Sequence, residues 1–258
     1  KIGVVPGIKV DGGLAEFDGS VEQYTKGLEG LGERLEKYKK FGCRFAKWRA
    51  VYHITEDTPT EMAIRRNAQD LAKYAKICQQ HGIVPIVEPE VLIDGTHSIE
   101  TSHKVTEKVL KEVFAELKKE NVMLEYTILK PSMVISGKEA GNRANVDEVA
   151  KRTVKVLKAT VPSELPSINF LSGGQAPQEA TAHLNRMHTL GESLPWYVSF
   201  SYARALQDPA LKTWQGKEEN FKAGQQAFIK RAKLNSLAAM GKYIEEMEKQ
   251  NLDLLIAQ

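Results

Sequence analysis

Strand-like apolar runs recur along this 258-residue chain at nearly constant intervals, with longer segments of helical period between them. The polar residues that close these runs are Lys9, Lys47, Glu88, Lys130, Ser172 and Ser201. Their successive spacings are 38, 41, 42, 42 and 29 residues. A step of about 40 residues accommodates a strand, a crossover helix and two loops. The spacing therefore predicts consecutive parallel strands linked by helices.

The predicted strands cover six short ranges, which are 3–10, 43–51, 82–90, 124–131, 167–174 and 196–203. Helical periodicity occupies the ranges 21–40, 59–81, 101–121, 146–160, 178–187 and 218–248, the last with an interruption near Gly241. Start signals include a capping box at Thr58-Pro59-Thr60-Glu61 and a cap at Asn145. Pro85 and Pro89 count against a central strand at 82–90.

The fold class predicted from this alternation is a (β/α)8 barrel. Because only six strand candidates are present, we expect them to be strands 3–8, with the first two missing ahead of Lys1. No low-complexity linker divides the chain, so residues 1–258 are expected to form a single domain, with a C-terminal helix and tail from about residue 218. The helix positions Val109, Val113 and Leu117 are expected to lie in the core.

Composition excludes several classes of protein. A formal net charge of +3, from 36 basic and 33 acidic residues, is too small for a nucleic-acid surface. No apolar run is long enough to span a bilayer, and only Cys43 and Cys78 are available for disulfides, so a reduced, cytoplasmic protein is expected. The six histidines lack metal-ligand spacing. We therefore expect neither a metal nor a cofactor.

Ionisable side chains should converge at one end of the predicted barrel, because alternate side chains of a strand share a face. This rule pairs Lys47 with Arg49, and it likewise pairs Glu88 with Glu90 and Lys9 with Asp11. One interpretation is a salt-bridge network that only seals the barrel end. The alternative is a site for chemistry.

The same two interpretations, structural or chemical, apply to Lys130, because it ends an apolar strand immediately before a proline. A buried ammonium needs a carboxylate or a route to water, and either would be a purely structural role. Crowding by Lys47 and Arg49 would instead favour the neutral amine, which can attack a carbonyl. Glu88 would then move the protons that Schiff-base formation requires.

The ends of the last two strands suit an anion. Ser172, Gly173 and Gly174 offer backbone N–H groups without obstructing side chains, and Arg204 follows the next strand. Loops after the seventh and eighth strands of barrels often hold phosphate. Glycine pairs also form ordinary turns, so it is the position beside Arg204 that indicates a phosphate site.

At these residues the chain resembles class I fructose-bisphosphate aldolase, the metal-independent type that works through a lysine Schiff base. The stretches that carry the resemblance are GIKVD, FAKWR, GIVPIVEPE, ILKPSMV, FLSGGQ, FSYARAL and KRAKLNSLAAMGKY. They extend from the start of the chain to about Tyr243, with compatible spacing. The resemblance implies a glycolytic and gluconeogenic enzyme that reversibly cleaves fructose 1,6-bisphosphate to dihydroxyacetone phosphate and glyceraldehyde 3-phosphate.

The resemblance also implies roles for individual residues. Lys130 would form the Schiff base, Glu88 would be the general acid and base, and Lys47 would assist carbinolamine chemistry. The residues that would bind or support substrate are Lys9 and Arg49 near the far phosphate, Glu90 near the nucleophile, and Ser172, Gly173, Gly174, Ser201 and Arg204 around the phosphate of the dihydroxyacetone phosphate half.

Three features depart from the family pattern. The first two strands of the family's barrel, which carry a catalytic aspartate, have no counterpart here. Ala203 stands where glycine is common, and the chain ends in NLDLLIAQ where many members end in tyrosine. The family also implies a phosphorylated sugar substrate, a homotetramer, and binding of actin or adhesin tails. Two alternatives stay open: another Schiff-base barrel lyase, such as a transaldolase-like or pyruvate-lyase-like protein, and a non-catalytic actin- or adhesin-binding scaffold.

Overall fold

The computed structural model describes residues 3–251, and a six-stranded parallel sheet forms its centre. The strands of this sheet are β1 (Gly7–Lys9), β4 (Phe45–Tyr52), β5 (Val84–Val91), β6 (Ile128–Leu129), β7 (Ser167–Phe170) and β8 (Tyr197–Phe200). They lie side by side in chain order, and every pairing is parallel. The predicted run of consecutive parallel strands is confirmed, and the fold is that of a partial (β/α)8 barrel.

Seven α-helices accompany the strands in the described part of the chain. They are α1 (Leu31–Lys40), α2 (Glu61–Gln80), α3 (Ile99–Lys119), α4 (Val146–Thr160), α5 (Pro177–His188), α6 (Arg204–Trp214) and α7 (Phe221–Ala238). Short 3-10 helices occupy Leu124–Tyr126, Glu218–Asn220 and Glu245–Lys249. The predicted tail after Asn251, and the first two residues, lie outside the described residues.

The core forms where the outward faces of the strands meet the helices. Trp48 of β4 is fully buried and stacks on Tyr74 of α2, with 5.5 Å between ring centroids. Val109, Val113 and Leu117 of α3 are also buried, as predicted. These apolar faces leave the alternate side chains of the strands, Lys47 and Arg49 on β4 among them, free to point to the other side of the sheet.

Both prolines of β5 lie inside an eight-residue central strand, and the direction of their nitrogens explains why they are tolerated. Val84 donates its N–H to Arg44, immediately before β4, and Leu92 donates to Tyr52 of β4, so residues at even positions bond toward β4. Pro85 and Pro89 therefore direct their nitrogens toward β6. That strand has only two residues, which pair with Ile86 and Val87 between the prolines. The missing donors fall where no ladder partner is present.

Residues 21–40 do not form one helix, and this prediction was wrong. Gln23–Thr25 is a strand, β3, that pairs antiparallel with β2 (Leu14–Glu16), and the helix begins only at Leu31. Gly27 interrupts the segment with φ of +117° and passes so close to Gly12 that a Cβ would lie 2.7 Å from the Gly12 nitrogen. Tertiary pairing outweighs the helical period here.

Three further boundaries differ from the prediction. The predicted strand at 124–131 begins as a 3-10 helix over Leu124–Tyr126, and only the two residues of β6 are in a strand. The predicted helix at 218–248 ends at Ala238, and α6 was not predicted. The capping box does not begin at Thr58, because Thr60 caps α2 by accepting the Ala63 N–H at 3.2 Å. The predicted cap at Asn145 is confirmed, with its side chain accepting the Glu148 N–H at 2.9 Å.

Candidate active site

A polar cavity of about 430 Å³ opens at the carboxyl ends of β4 to β8. Its lining consists of Lys47, Arg49, Glu88, Glu90, Lys130, Leu171, Ser172, Gly173, Ser201, Ala203 and Arg204. The structure thus brings together every site residue predicted from the sequence except Lys9 and Gly174. Because side chains from five different strands meet here, the parallel sheet itself assembles the site.

The charges of β4 and β5 pair diagonally across the two strands. Arg49 lies opposite Glu88 in the register. Each cation of β4 contacts the β5 carboxylate that lies two residues beyond its own register partner, toward the carboxyl end of the strand. Lys47 Nζ lies 2.9 Å from Glu88 Oε2, and Arg49 Nε donates to Glu90 Oε2. The alternation of side chains along both strands places these pairs on one face of the sheet.

Lys130 meets the same carboxylate from the other side. Its backbone N–H donates to the Val87 carbonyl at 2.8 Å, which fixes the residue at the end of β6. Its Nζ lies 3.1 Å from Glu88 Oε1, and the side chain is 11% exposed. Glu88 therefore bridges Lys47 and Lys130. Of the two structural options considered for Lys130, the structure shows a carboxylate partner, and Lys47 lies on the other oxygen of the same carboxylate.

Asp11 is a neighbour of the site that was not among the site residues predicted from the sequence. Its Oδ1 lies 2.5 Å from Lys9 Nζ, and its Oδ2 lies 3.5 Å from Lys47 Nζ. The sequence signal was the i, i+2 spacing of Lys9 and Asp11 on one strand end. Lys9 itself is mostly exposed, and within residues 3–251 it reaches the cluster through Asp11. Carboxylates and cations thus alternate from Lys9 to Lys130.

The Ser172 to Gln175 segment is a tight turn on the opposite wall. Gly173 and Gly174 both have positive φ, +55° and +90°, and the Gln175 N–H donates to the Ser172 carbonyl at 3.0 Å. Two successive positive φ angles are readily available only to glycine. A Cβ on Gly174 would lie 3.6 Å from an Arg204 nitrogen, so this turn and that guanidinium are neighbours.

The end of β8 completes this wall. The Ser201 N–H donates to the Phe170 carbonyl at 2.8 Å, and Ala203 precedes the first residue of α6, which is Arg204. The start of α6 therefore faces the cavity with backbone N–H groups and a cation. Among residues 3–251, Arg204 has no carboxylate within 4 Å, unlike Lys47, Arg49 and Lys130. The wall formed by the turn and α6 suits an anion.

A second concavity, of about 460 Å³, lies between α6 and α7. Its lining is Ala210, Leu211, Trp214, Phe221, Gly224, Gln225, Phe228 and Ile229. None of these side chains titrates, so this groove offers no acid, base or nucleophile. The chemistry belongs to the polar cavity at the strand ends, whose amine, carboxylates and anion-binding wall could together process a phosphorylated carbonyl compound.

Neither a metal centre nor a membrane span is present within residues 3–251. No three His, Cys, Asp or Glu side chains of this part of the chain are placed to hold a metal ion. No helix among the described residues combines the length and apolar character needed to cross a bilayer.

Comparison with known proteins identifies strong similarity over nearly the whole chain. The sequence model of the family described as "Fructose-bisphosphate aldolase class-I" matches residues 1–255. A relative from Xanthomonas axonopodis pv. citri, named probable fructose-bisphosphate aldolase class 1, is 54% identical over 93% of this chain and 72% of its own length. Cytosolic fructose-bisphosphate aldolase 4 of Arabidopsis thaliana is 51% identical over 94% of this chain and 62% of its own length.

A solved structure shares the fold. The fructose-bisphosphate aldolase of Plasmodium falciparum, in a ternary complex with TRAP and a small-molecule inhibitor, superposes with a TM-score of 0.91. It is 48% identical in sequence, and the match covers 93% of this chain and 70% of the other.

Proposed function

Because the chain belongs to the class I fructose-bisphosphate aldolase family, we propose that it reversibly cleaves fructose 1,6-bisphosphate to dihydroxyacetone phosphate and glyceraldehyde 3-phosphate, as a step of glycolysis and gluconeogenesis. The observation that carries the proposal is the buried contact of Lys130 Nζ with Glu88, 3.1 Å apart, in a cavity whose far wall suits phosphate. We propose the cytoplasm as its location, from the named cytosolic relatives.

The reaction begins when the neutral Lys130 amine attacks C2 of the open-chain ketose. Among residues 3–251, Glu88 is the only carboxylate within 4 Å of Lys130 Nζ, so it is the nearest acceptor for the lysine proton. The carbinolamine then loses water, with Glu88 returning a proton to the departing hydroxyl, and the protonated imine remains. Lys47, on the other oxygen of Glu88, stabilises the carboxylate between these transfers.

Cleavage breaks the bond between C3 and C4. The C4 hydroxyl gives its proton to a carboxylate base, glyceraldehyde 3-phosphate leaves, and the bonding electrons pass to the imine to form an enamine. Protonation at C3 and hydrolysis of the resulting imine release dihydroxyacetone phosphate and restore Lys130. The phosphate of this half is held by the Ser172 to Gly174 turn, by Ser201 and by Arg204. Arg49 and Lys9 support the opposite end, and Glu90 supports the site near the nucleophile.

The test is reductive trapping combined with a coupled cleavage assay. Borohydride with dihydroxyacetone phosphate should place a stable adduct on Lys130, identified by peptide mass, and Lys130→Met should abolish both the adduct and cleavage. Lys111→Met, which replaces an exposed helical lysine, is the matched control and should retain both. An adduct on another lysine would contradict the assignment. Adducts formed equally well with pyruvate or a sugar lacking the C1 phosphate would favour a different Schiff-base lyase.

Protein binding is a second candidate function, because the Plasmodium relative was solved in complex with TRAP. We propose that this chain forms a homotetramer and binds adhesin tails or actin. Light scattering should give about four times the mass of one chain, and a monomeric mass would contradict the tetramer. Co-sedimentation of Lys130→Met with actin, and its capture by an adhesin-tail peptide, should equal that of the unchanged protein if binding is independent of catalysis.

A further inference from the structure

Two buried side chains outside the cavity hold the turn that forms its anion-binding wall. Gln175 follows this turn, and His183 lies on α5, the helix that begins two residues later. Both are more than nine-tenths buried, with exposures of 6% and 2%. Neither lines the cavity. Buried polar side chains are retained only where their hydrogen bonds are satisfied, so their partners indicate what they do.

Gln175 bonds twice to one carbonyl. The Ser172 carbonyl accepts from the Gln175 backbone N–H at 3.0 Å and from its side-chain Nε2 at 3.1 Å. The second Nε2 hydrogen is directed toward Met133 Sδ, 3.7 Å away. The amide nitrogen of Gln175 thus faces two acceptors, and this contact pattern fixes which end of the amide is nitrogen.

His183 fixes the other end of that amide. Its Nδ1 lies 2.7 Å from Gln175 Oε1, and an amide oxygen only accepts, so Nδ1 carries the proton. Burial holds the pKa of His183 down to about 4, which keeps the ring neutral near pH 7. Without this donor, Oε1 would be buried and unsatisfied, and the amide would gain by rotating away from Ser172.

The direction of the Ser172 carbonyl determines the direction of the next N–H. In a trans peptide the C=O of one residue and the N–H of the following residue point in opposite directions. Gln175 holds the Ser172 carbonyl toward the inside of the turn. The Gly173 N–H belongs to the same peptide group, so it points away from the inside of the turn. Gly173 lines the cavity beside Arg204. A rotation of this peptide plane would turn the donor away from an anion placed there.

We propose that Gln175 and His183 are positioning residues that set the direction of the Gly173 N–H for the phosphate of the dihydroxyacetone phosphate half. This inference rests on the proposed function, because it requires a phosphate on this wall. The pair acts on phosphate binding and not on the amine chemistry of Lys130. Its loss should therefore weaken phosphorylated ligands selectively.

The experiment compares borohydride trapping of the full chain by dihydroxyacetone phosphate and by dihydroxyacetone, which lacks the phosphate. His183→Leu keeps much of the side-chain volume but removes the donor. We expect the preference for dihydroxyacetone phosphate to fall about tenfold to a hundredfold, the size expected for one hydrogen bond to a charged group, with the dihydroxyacetone reaction unchanged. KM for fructose 1,6-bisphosphate should rise by the same factor, with kcat nearly constant.

Two further variants separate positioning from general destabilisation. His183→Asn places a donor as many bonds from the backbone as Nδ1, so it should restore most of the lost preference. His188→Leu removes the bond between His188 Nε2 and the Val198 carbonyl, 3.0 Å long, from the same helix and should leave the preference unchanged. If His183→Leu fails to fold, Gln175→Met makes the same test, since it deletes the side-chain bonds to the Ser172 carbonyl and to His183.

An unchanged preference in His183→Leu or Gln175→Met would overturn the inference while leaving the proposed function intact. So would a loss in His183→Asn equal to that in His183→Leu. Absence of any Lys130 adduct in the unchanged protein would overturn the proposed function itself, and the inference with it.

Discussion

At the scale of single residues, Lys130 shows that a structural contact and a catalytic role can use the same atoms. The ion pair with Glu88 is one of the partners that a purely structural role of the lysine would need, and the lysine side chain is nearly buried. The ion pair also supplies the proton acceptor that an attacking amine needs. A salt bridge at the end of the barrel is therefore no argument against chemistry when the carboxylate is shared, as Glu88 is by Lys47 and Lys130.

Replacing Glu88 by glutamine should test its part in proton transfer. Glu88→Gln keeps the shape of the side chain but removes its charge, and with it the ion pairs to Lys47 and Lys130 and the capacity to take a proton. We expect kcat for cleavage to fall by about 10² to 10³, the usual contribution of a general acid or base. Steady-state rates and the rate of adduct formation on Lys130 are the measurements. Glu139→Gln, at an exposed carboxylate away from the cavity, is the control, and a kcat within about twofold of the unchanged protein would contradict the role.

His183 predicts how stability responds to acid. Its folded pKa is about 4, against 6.5 for the unperturbed group, because burial disfavours the charged ring. Between pH 6.5 and pH 4, His183 is protonated in the unfolded chain but neutral in the folded protein, so the free energy of unfolding falls as pH falls toward 4. The difference between pH 7.5 and pH 5 should be about 2 kcal/mol from this residue. His183→Asn should lose that fraction of the pH dependence in urea unfolding, and equal slopes for both proteins would contradict the assignment.

At the scale of helices and strands, the elements that repeat were predictable and those set by tertiary contacts were not. The strand spacing, with four steps of 38 to 42 residues and a last step of 29, predicted six strands whose ends meet, and nearly all the candidate site followed from it. The β2–β3 hairpin escaped prediction because Gln23–Thr25 carries no clear alternation and is stabilised by its partner strand. The pair formed by Gln175 and His183 was not predicted either, because a glutamine and a helical histidine have no distinctive spacing.

Gly27, which follows β3, tests how tightly the chain is constrained where it leaves the hairpin and passes Gly12. An added Cβ would approach the Gly12 nitrogen to 2.7 Å, and the φ of +117° is unfavourable for any other residue. Gly27→Ala should therefore lower the free energy of unfolding by about 2 to 4 kcal/mol. Gly19→Ala is the matched control, because Gly19 also has positive φ but no atom within 4 Å of the added Cβ. It should lose about 1 kcal/mol, and equal losses at both positions would contradict the close approach.

At the scale of the whole molecule, a buried polar network joins α5, α7 and the Glu245–Lys249 segment. Arg231 of α7 is 4% exposed, donates from both Nη atoms to Glu248 at 2.8 Å, and bonds to Thr181 of α5 at 2.6 Å. Tyr243 donates its hydroxyl to the same carboxylate at 3.0 Å, and burial together with the charge of Glu248 raises the pKa of that phenol. The Glu245–Lys249 segment is thus tied to the helix that also carries His183.

Removing one partner of this network should be far more damaging than removing both. Glu248→Ala leaves the buried guanidinium with Thr181 alone, and the free energy of unfolding should fall by about 3 to 5 kcal/mol. The double variant Arg231→Met, Glu248→Leu replaces the charges by apolar groups and should recover most of that loss. Urea unfolding of the single and double variants gives the coupling energy directly. Additive losses would mean that Glu248 is a surface partner, and that the C-terminal segment is held by its apolar contacts, chiefly by the buried side chain of Met247.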